Sequence, residues 1–162
     1  MTPEEIIRTL QDALKAELSA VELYRAHVAA IGESAIAEGV QAILEVEREH
    51  ASSLSRRIRQ LGARPVEPGG PATIVGRAAA AGSQSLPTVE LLRLELSEEQ
   101  SAIKHYAAAI AEIMDDEDTL SLLAEQLQDE IAHALWMKQQ IRALEEGLWR
   151  RCRARSARRV AP

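Results

Sequence analysis

Two short stretches pair a carboxylate with an imidazole three residues further on: Glu47-Arg48-Glu49-His50 and Glu130-Ile131-Ala132-His133. On an α-helix that spacing puts both groups on one face, one turn apart. Two further glutamates precede them, Glu17 in Glu17-Leu18-Ser19 and Glu95 in Glu95-Leu96-Ser97. The order is Glu, Glu-x-x-His, Glu, Glu-x-x-His. Four carboxylates carry four negative charges, two neutral imidazoles add none, and two divalent cations would balance them. Buried and empty, such a cluster would hold like charges at high cost. The pattern therefore points to a pair of metal ions. Mixed oxygen and nitrogen donors suit iron, or manganese, better than metals that prefer thiolates.

The elements that must position these groups can be read from an internal repeat. When Glu47-His50-Ala51 is laid on Glu130-His133-Ala134, Leu54, Ile58 and Leu61 fall opposite Met137, Ile141 and Leu144. His27 and His105 each lie ten residues after Glu17 and Glu95, which supports the same match. Ten residues is about 15 Å of helix, too far for direct ligation, so both histidines read as polar residues at helix boundaries. Tyr106 lies on the stripe of Glu95, either as a hydrogen-bond donor to a ligand or as core packing.

Helices are the expected elements throughout. Apolar residues make up 46% of the 162, yet aromatics only 2%, so Ala, Leu and Ile must fill the core. These favour close-packed helices. Thr2-Pro3-Glu4-Glu5 has the form of a helix start. The first helix is expected to reach about Ile31, with Gly32 ending it. The second runs from about Ala35 to Leu61, closed by Gly62. Residues 62–87 carry Pro65, Pro68, Gly69, Gly70, Pro71 and Pro87 and read as a connection, with a short helix between Thr73 and Ala81. A 27-residue helix is about 40 Å long, and some 25 residues can cross that span. The third helix, from about Thr88 to Met114, can then lie parallel to the second. Asp115-Asp116-Glu117-Asp118 forms a turn that caps the fourth helix, Thr119 to Glu146. The fold class is all-α: a four-helix bundle with one long crossover between the second and third helices. Residues 1–147 form the bundle and residues 148–162 a basic, disordered tail, whose arginines are expected to be solvated. Contact with nucleic acid is the alternative role for that tail.

The formal net charge of −6 gives no overall attraction to nucleic acid. A lone cysteine, Cys152, excludes an intramolecular disulfide and fits a reducing compartment. There is no basic start followed by an apolar run, and no stretch long enough to span a bilayer, so a cytoplasmic location without membrane contact is expected.

These residues resemble the ferritin-like superfamily, and within it bacterioferritin and rubrerythrin. The resemblance covers about residues 3–146 apart from the crossover. It implies that Glu17, Glu47, His50, Glu95, Glu130 and His133 are the metal ligands. Tyr24, seven residues after Glu17, resembles the bacterioferritin tyrosine beside the metals. Asp129 resembles an acid that orients a ligand histidine. Trp136 is similar to that family and equally suits core packing. Glu98, three residues after Glu95, matches an additional rubrerythrin carboxylate and is expected to act as an extra ligand favouring H2O2 over O2. Glu99, on the other flank, is expected to be solvated. Three departures matter. Arg48 stands where bacterioferritin has its haem-ligating methionine, so no haem is expected. One cysteine cannot supply the iron–sulfur module of rubrerythrin, and the Pro- and Gly-rich crossover counts against a storage shell.

The resemblance thus implies a non-haem di-iron oxidoreductase, either a ferroxidase or an enzyme that detoxifies peroxide. Its partners would be metal ions, O2 or H2O2, a reductant the sequence does not identify, and copies of itself in a homo-oligomer. An oxygenase acting on an organic substrate is a rival and would need an apolar channel to the metals. A metal-stabilised interaction module without catalysis is another.

Overall fold

The computed structural model describes residues 1–160, and the side-chain surroundings of all of these except 71, 72, 75 and 148–160. The described residues form five α-helices and no strand: α1 (Pro3–Ala30), α2 (Ser34–Gln60), α3 (Pro71–Ser83), α4 (Thr88–Glu112) and α5 (Glu117–Val160). Among them, no helix is long and apolar enough to cross a membrane.

Local chemistry sets the boundaries. Thr2 and Glu5 form a reciprocal capping box: the Glu5 amide donates to Thr2 Oγ1 at 3.3 Å, and the Thr2 amide to Glu5 Oε2 at 2.7 Å. Beyond α2, Gly62 has φ of +80°, a conformation that strains any residue with a Cβ. Glu33, just before α2, instead accepts from Thr88 Oγ1 at 2.6 Å and ties the start of α2 to the start of α4. Asp116 accepts from the Thr119 amide at 3.1 Å and pairs with the Arg57 guanidinium. The acidic turn therefore caps α5 and also anchors the end of α2.

The cross-bundle bonds fix the directions. Glu17 meets Tyr106 and Tyr24 meets Glu99, so α1 and α4 run antiparallel. His50 meets Asp129 and Arg57 meets Thr119, so α2 and α5 are also antiparallel. With α1–α2 and α4–α5 as hairpins, α2 and α4 must be parallel, and the intervening chain crosses the length of the bundle. It does so against α1. Gln11 brackets it, donating to Arg64 O at 2.7 Å and accepting from the Val66 amide at 3.0 Å. Helix α3 then packs so closely that a Cβ on Gly76 would sit 2.5 Å from Ser19 O.

Two apolar clusters fill the bundle. One holds Leu10, Leu14, Leu54, Ile58, Ile113 and Leu123, the other Val21, Val40, Leu44, Leu91, Leu92 and Met137. Each fully buried Leu or Ile contributes about 1.5–3 kcal/mol. The residues between the clusters, at mid-length on every long helix, are the charged ones described below.

Helix α5 does not stop at Gly147, as the sequence suggests, but continues to Val160. A glycine inside a helix costs about 1 kcal/mol relative to alanine. The Arg- and Ala-rich residues that follow favour helix, and no proline intervenes before Pro162. The tail's side chains and residues 161–162 lie outside the described residues, as do the expectation that its arginines are solvated and the alternative that they contact nucleic acid.

Candidate metal centre

Six buried side chains converge between the two apolar clusters: Glu17 from α1, Glu47 and His50 from α2, Glu99 from α4, and Glu130 and His133 from α5. Their donor atoms fall into two groups, each with atoms within 4.8 Å of one another. Glu17, Glu47, His50 and Glu130 form the first; Glu47, Glu99, Glu130 and His133 form the second. Glu47 and Glu130 belong to both, which is the position a carboxylate bridging two ions must occupy. Each group therefore takes three residues from its own hairpin and one from the other.

The donor atoms are not satisfied by one another. His50 Nδ1 lies 3.2 Å from Glu130 Oε1 and 3.8 Å from Glu47 Oε2. His133 Nδ1 lies 3.1 Å from Glu47 Oε1 and 3.3 Å from Glu99 Oε2. None of these approaches has hydrogen-bond geometry. Glu47 Oε1, His50 Nδ1, Glu99 Oε2, Glu130 Oε1 and His133 Nδ1 are all buried without a hydrogen-bond partner. Buried polar groups are rarely left so. Orphaned atoms on three carboxylates and two imidazoles, with Glu17 beside them as the fourth carboxylate, fit two divalent cations in charge and in donor type.

Without metal, protons must take over the neutralising role. Burial raises Glu17 well above the usual carboxylate range, and the adjacent Glu47 adds to it. Burial also pushes Glu130 up to about 9, against the opposing effect of His50. Glu47 goes the other way: burial opposes its ionisation, but His133 and His50 hold it well below the normal range. Burial disfavours both imidazolium ions, yet the surrounding carboxylates outweigh it. Glu130 and Glu47 raise His50 to about 10, and Glu47 and Glu99 raise His133 to about 10.

A ring of hydrogen bonds holds the ligands. Tyr24 donates to Glu99, and Tyr106 donates to Glu17. Each tyrosine thus grips the terminal carboxylate of the opposite hairpin. Burial, with the charge of the nearby glutamates, raises both phenols well above their ordinary range, so both remain protonated donors. Asp129 Oδ2 accepts from His50 Nε2 at 3.2 Å. That bond leaves Nδ1 facing the cluster, so Asp129 orients the histidine of the neighbouring helix rather than its own. Trp136 is half-buried and packs against Gly39 of α2, where an added Cβ would collide with the indole.

The structure corrects two readings of the sequence. Glu95 is buried but belongs to neither group. His27 Nδ1 meets Glu95 Oε1 at 2.9 Å, and His27 Nε2 donates to Ser83 Oγ at 2.7 Å. Ser83 Oγ can accept because its own proton goes to Ala79 O or Ala80 O, each at 3.1 Å. Glu95 therefore stands one turn from the ligand position and ties α4, through His27, to the crossover helix. The α4 carboxylate that joins a donor group is Glu99, which is 1% exposed rather than solvated. Glu98 is exposed at the rim of a cavity and lies outside both groups. The position three residues after Glu99, where an additional carboxylate would share its face, is Ala102.

A signal for Glu99 was present in the sequence. Tyr106 follows Glu99 by seven residues, as Tyr24 follows Glu17. Matching Glu-Leu-Ser and the two histidines selected the wrong turn. Those histidines have different surroundings: His27 is fully buried against Glu95, whereas His105 lines the cavity.

The geometry agrees with comparisons to known proteins. No curated protein sequence matches the chain. A bacterioferritin-related protein from Bacteroides fragilis, a dodecameric thioferritin, matches with a TM-score of 0.78 at 23% identity, covering 91% of this chain and 92% of that one. Bacterioferritin from Rhodobacter capsulatus, which has a dinuclear site and haem iron, matches at 0.70 and 24%, covering 88% and 87%. A protein from Xanthomonas campestris matches at 0.79 and 18%, covering 94% and 99%. The family model for the ferritin-like domain matches residues 7–146, and with the bundle and its central cluster in place the chain belongs to the ferritin-like family.

Proposed function

We propose that this chain is a non-haem di-metal oxidoreductase of iron homeostasis, oxidising Fe(II) at the expense of O2 or H2O2. The observation that carries the reading is the pair of buried donor groups sharing Glu47 and Glu130. Glu17 and Glu99 would be the terminal carboxylates, and His50 and His133 the imidazole ligands, one for each position. Bound there, two iron ions would supply one-electron steps between the ferrous and ferric states.

The protein's own contribution is positional and protonic. Leu14, Leu54 and Leu123 on one side, and Leu44 and Met137 on the other, exclude bulk water along the bundle axis. Tyr24 and Tyr106 hold the terminal carboxylates by hydrogen bonds and present phenolic protons beside them. Metal-free protein given Fe(II) should oxidise it, as followed by ferric absorbance in stopped flow. Tyr24→Phe should keep the metal content and slow the oxidation about tenfold or more. If metal binds but Fe(II) oxidises no faster than in buffer, the chain is a metal-stabilised module and not an oxidoreductase.

We also propose that the chain binds no haem and assembles with copies of itself. Arg48 offers no soft donor and is paired with Glu45 at 2.7 Å. The Bacteroides fragilis relative is dodecameric. Purified protein should show no Soret band and a solution mass that is a multiple of the 17.8 kDa chain. A Soret band, or a monomer mass, would overturn the corresponding half.

A further inference from the structure

The cluster is closed along the bundle axis by the two apolar groups. On the α2–α5 side it is bordered by His50, whose backbone carbonyl accepts from Gln126 Nε2 at 3.2 Å. Between α1 and α4 it is open. A cavity of about 260 Å³ runs there, and Glu17, Glu47, Glu99 and Glu130 line it. Small residues take part in its wall beside the two tyrosines. Ala20 stands three residues after Glu17, and Ala102 three residues after Glu99, and both line the cavity. The helix positions that share a face with the terminal carboxylates therefore carry methyl groups, one from each hairpin. At the rim are Asp12 and Glu98, both exposed. No lysine or arginine lines the cavity, but Lys15 pairs with Asp12 at 2.7 Å, so Glu98 is the rim carboxylate without a cationic partner among the described residues.

Two independent observations point to a cation here. The rim is acidic, and the inner end holds buried carboxylate oxygens without partners, Glu47 Oε1, Glu99 Oε2 and Glu130 Oε1. Size agrees as well: six waters at about 30 Å³ each occupy about 180 Å³, so a hydrated divalent ion fits. Six carboxyl groups line the way in, and a cation would exchange its waters for their oxygens.

We infer that the α1–α4 cavity is the route by which divalent cations reach the cluster, with Asp12 and Glu98 collecting the hydrated ion and Ala20 and Ala102 setting the aperture. The inference rests on the di-metal reading of the cluster. It gives Glu98 a role at the approach to the metals.

The test is the rate at which the full-length, metal-free chain takes up Co(II), followed by visible absorbance, alongside the amount bound at equilibrium. Ala102→Leu should slow uptake tenfold or more and leave the equilibrium content unchanged. The double variant Asp12→Asn, Glu98→Gln changes only exposed side chains. It should slow uptake several-fold at low ionic strength and flatten its dependence on salt. Should Ala102→Leu not fold, the rim variant decides alone. Unchanged rates and unchanged salt dependence with full Co(II) content would overturn the route and spare the metal site. Failure of the unaltered chain to bind Co(II) would overturn both.

Discussion

Alanine at position 99 is expected to cut the bound metal from about two ions per chain to one or fewer. Fe(II) oxidation should fall about 100-fold or more, since even groups outside the ligand set commonly cost 10–100-fold. The reason is geometric: among the described residues, Glu99 is the sole donor that α4 sends into either group. Glu95→Gln should behave differently. Its carboxyl meets His27 Nδ1, and because His27 Nε2 donates to Ser83, an amide can supply the proton on the Nδ1 side. Metal content should stay at about two, with little change in stability. Glu95→Ala leaves the imidazole without its partner and should cost about 1–3 kcal/mol in chemical denaturation, still without loss of metal. Metal analysis of the three variants separates the cases. Full metal in the Glu99 variant, or its loss in Glu95→Gln, would return the α4 ligand to position 95.

Metal uptake should also expel about three protons or more per chain near neutral pH, from His50, His133 and Glu130, with Glu17, which burial raises, adding to them. Titration calorimetry in buffers of different ionisation enthalpy measures that number, and a value near zero would contradict the charge state assigned to the metal-free cluster. The stability consequence has a definite sign. In the unfolded chain histidine loses its proton above about 6.5 and glutamate above about 4.5. In the folded, metal-free protein Glu130 keeps its proton to about 9 and the two histidines to about 10. Between about pH 6.5 and 9 the folded state therefore binds more protons than the unfolded one, so stability falls as pH rises. Glu47 works in the opposite sense, and its contribution is lost only as pH falls below about 4.5. Denaturant midpoints should drop from pH 6.5 to pH 9 without metal. With saturating divalent metal they should rise, because protons no longer compete for the ligands.

Much of this arrangement is legible in the chain itself. The Glu-x-x-His pairs gave the two ligand-bearing faces of α2 and α5, because the same residues also carry the core stripe. Leu54 and Met137, and Ile58 and Ile141, are all buried at matching positions. The boundaries at Thr2 and Gly62 follow from capping chemistry that needs no tertiary context. What could not be read locally was which of two glutamates one turn apart on α4 faces the centre. Both are buried, and both lie on one stripe. The choice is made by groups distant in sequence: Tyr24 binds Glu99 from 75 residues away, and His27 binds Glu95 from 68. Helix α5 was misjudged for a simpler reason, since a single glycine is too weak a signal to end a helix with good formers on both sides.

The crossed tyrosines have one more implication. Each hairpin carries a lock for the other's carboxylate and lends one carboxylate to the other's donor group, so neither half holds a complete group. Two identical hairpins meeting about a twofold axis would satisfy every one of these contacts. The single-chain protein keeps that symmetry in the tyrosine–carboxylate contacts and breaks it around them: Asp129 holds His50 where Val46 stands at the matching position before Glu47, and the Glu95–His27–Ser83 link has only Ala13 and Ala109 at the matching positions. The covalent join is thus free to diverge, as α3 has, while the inward faces of the two halves are held to a common plan by chemistry that each performs on the other.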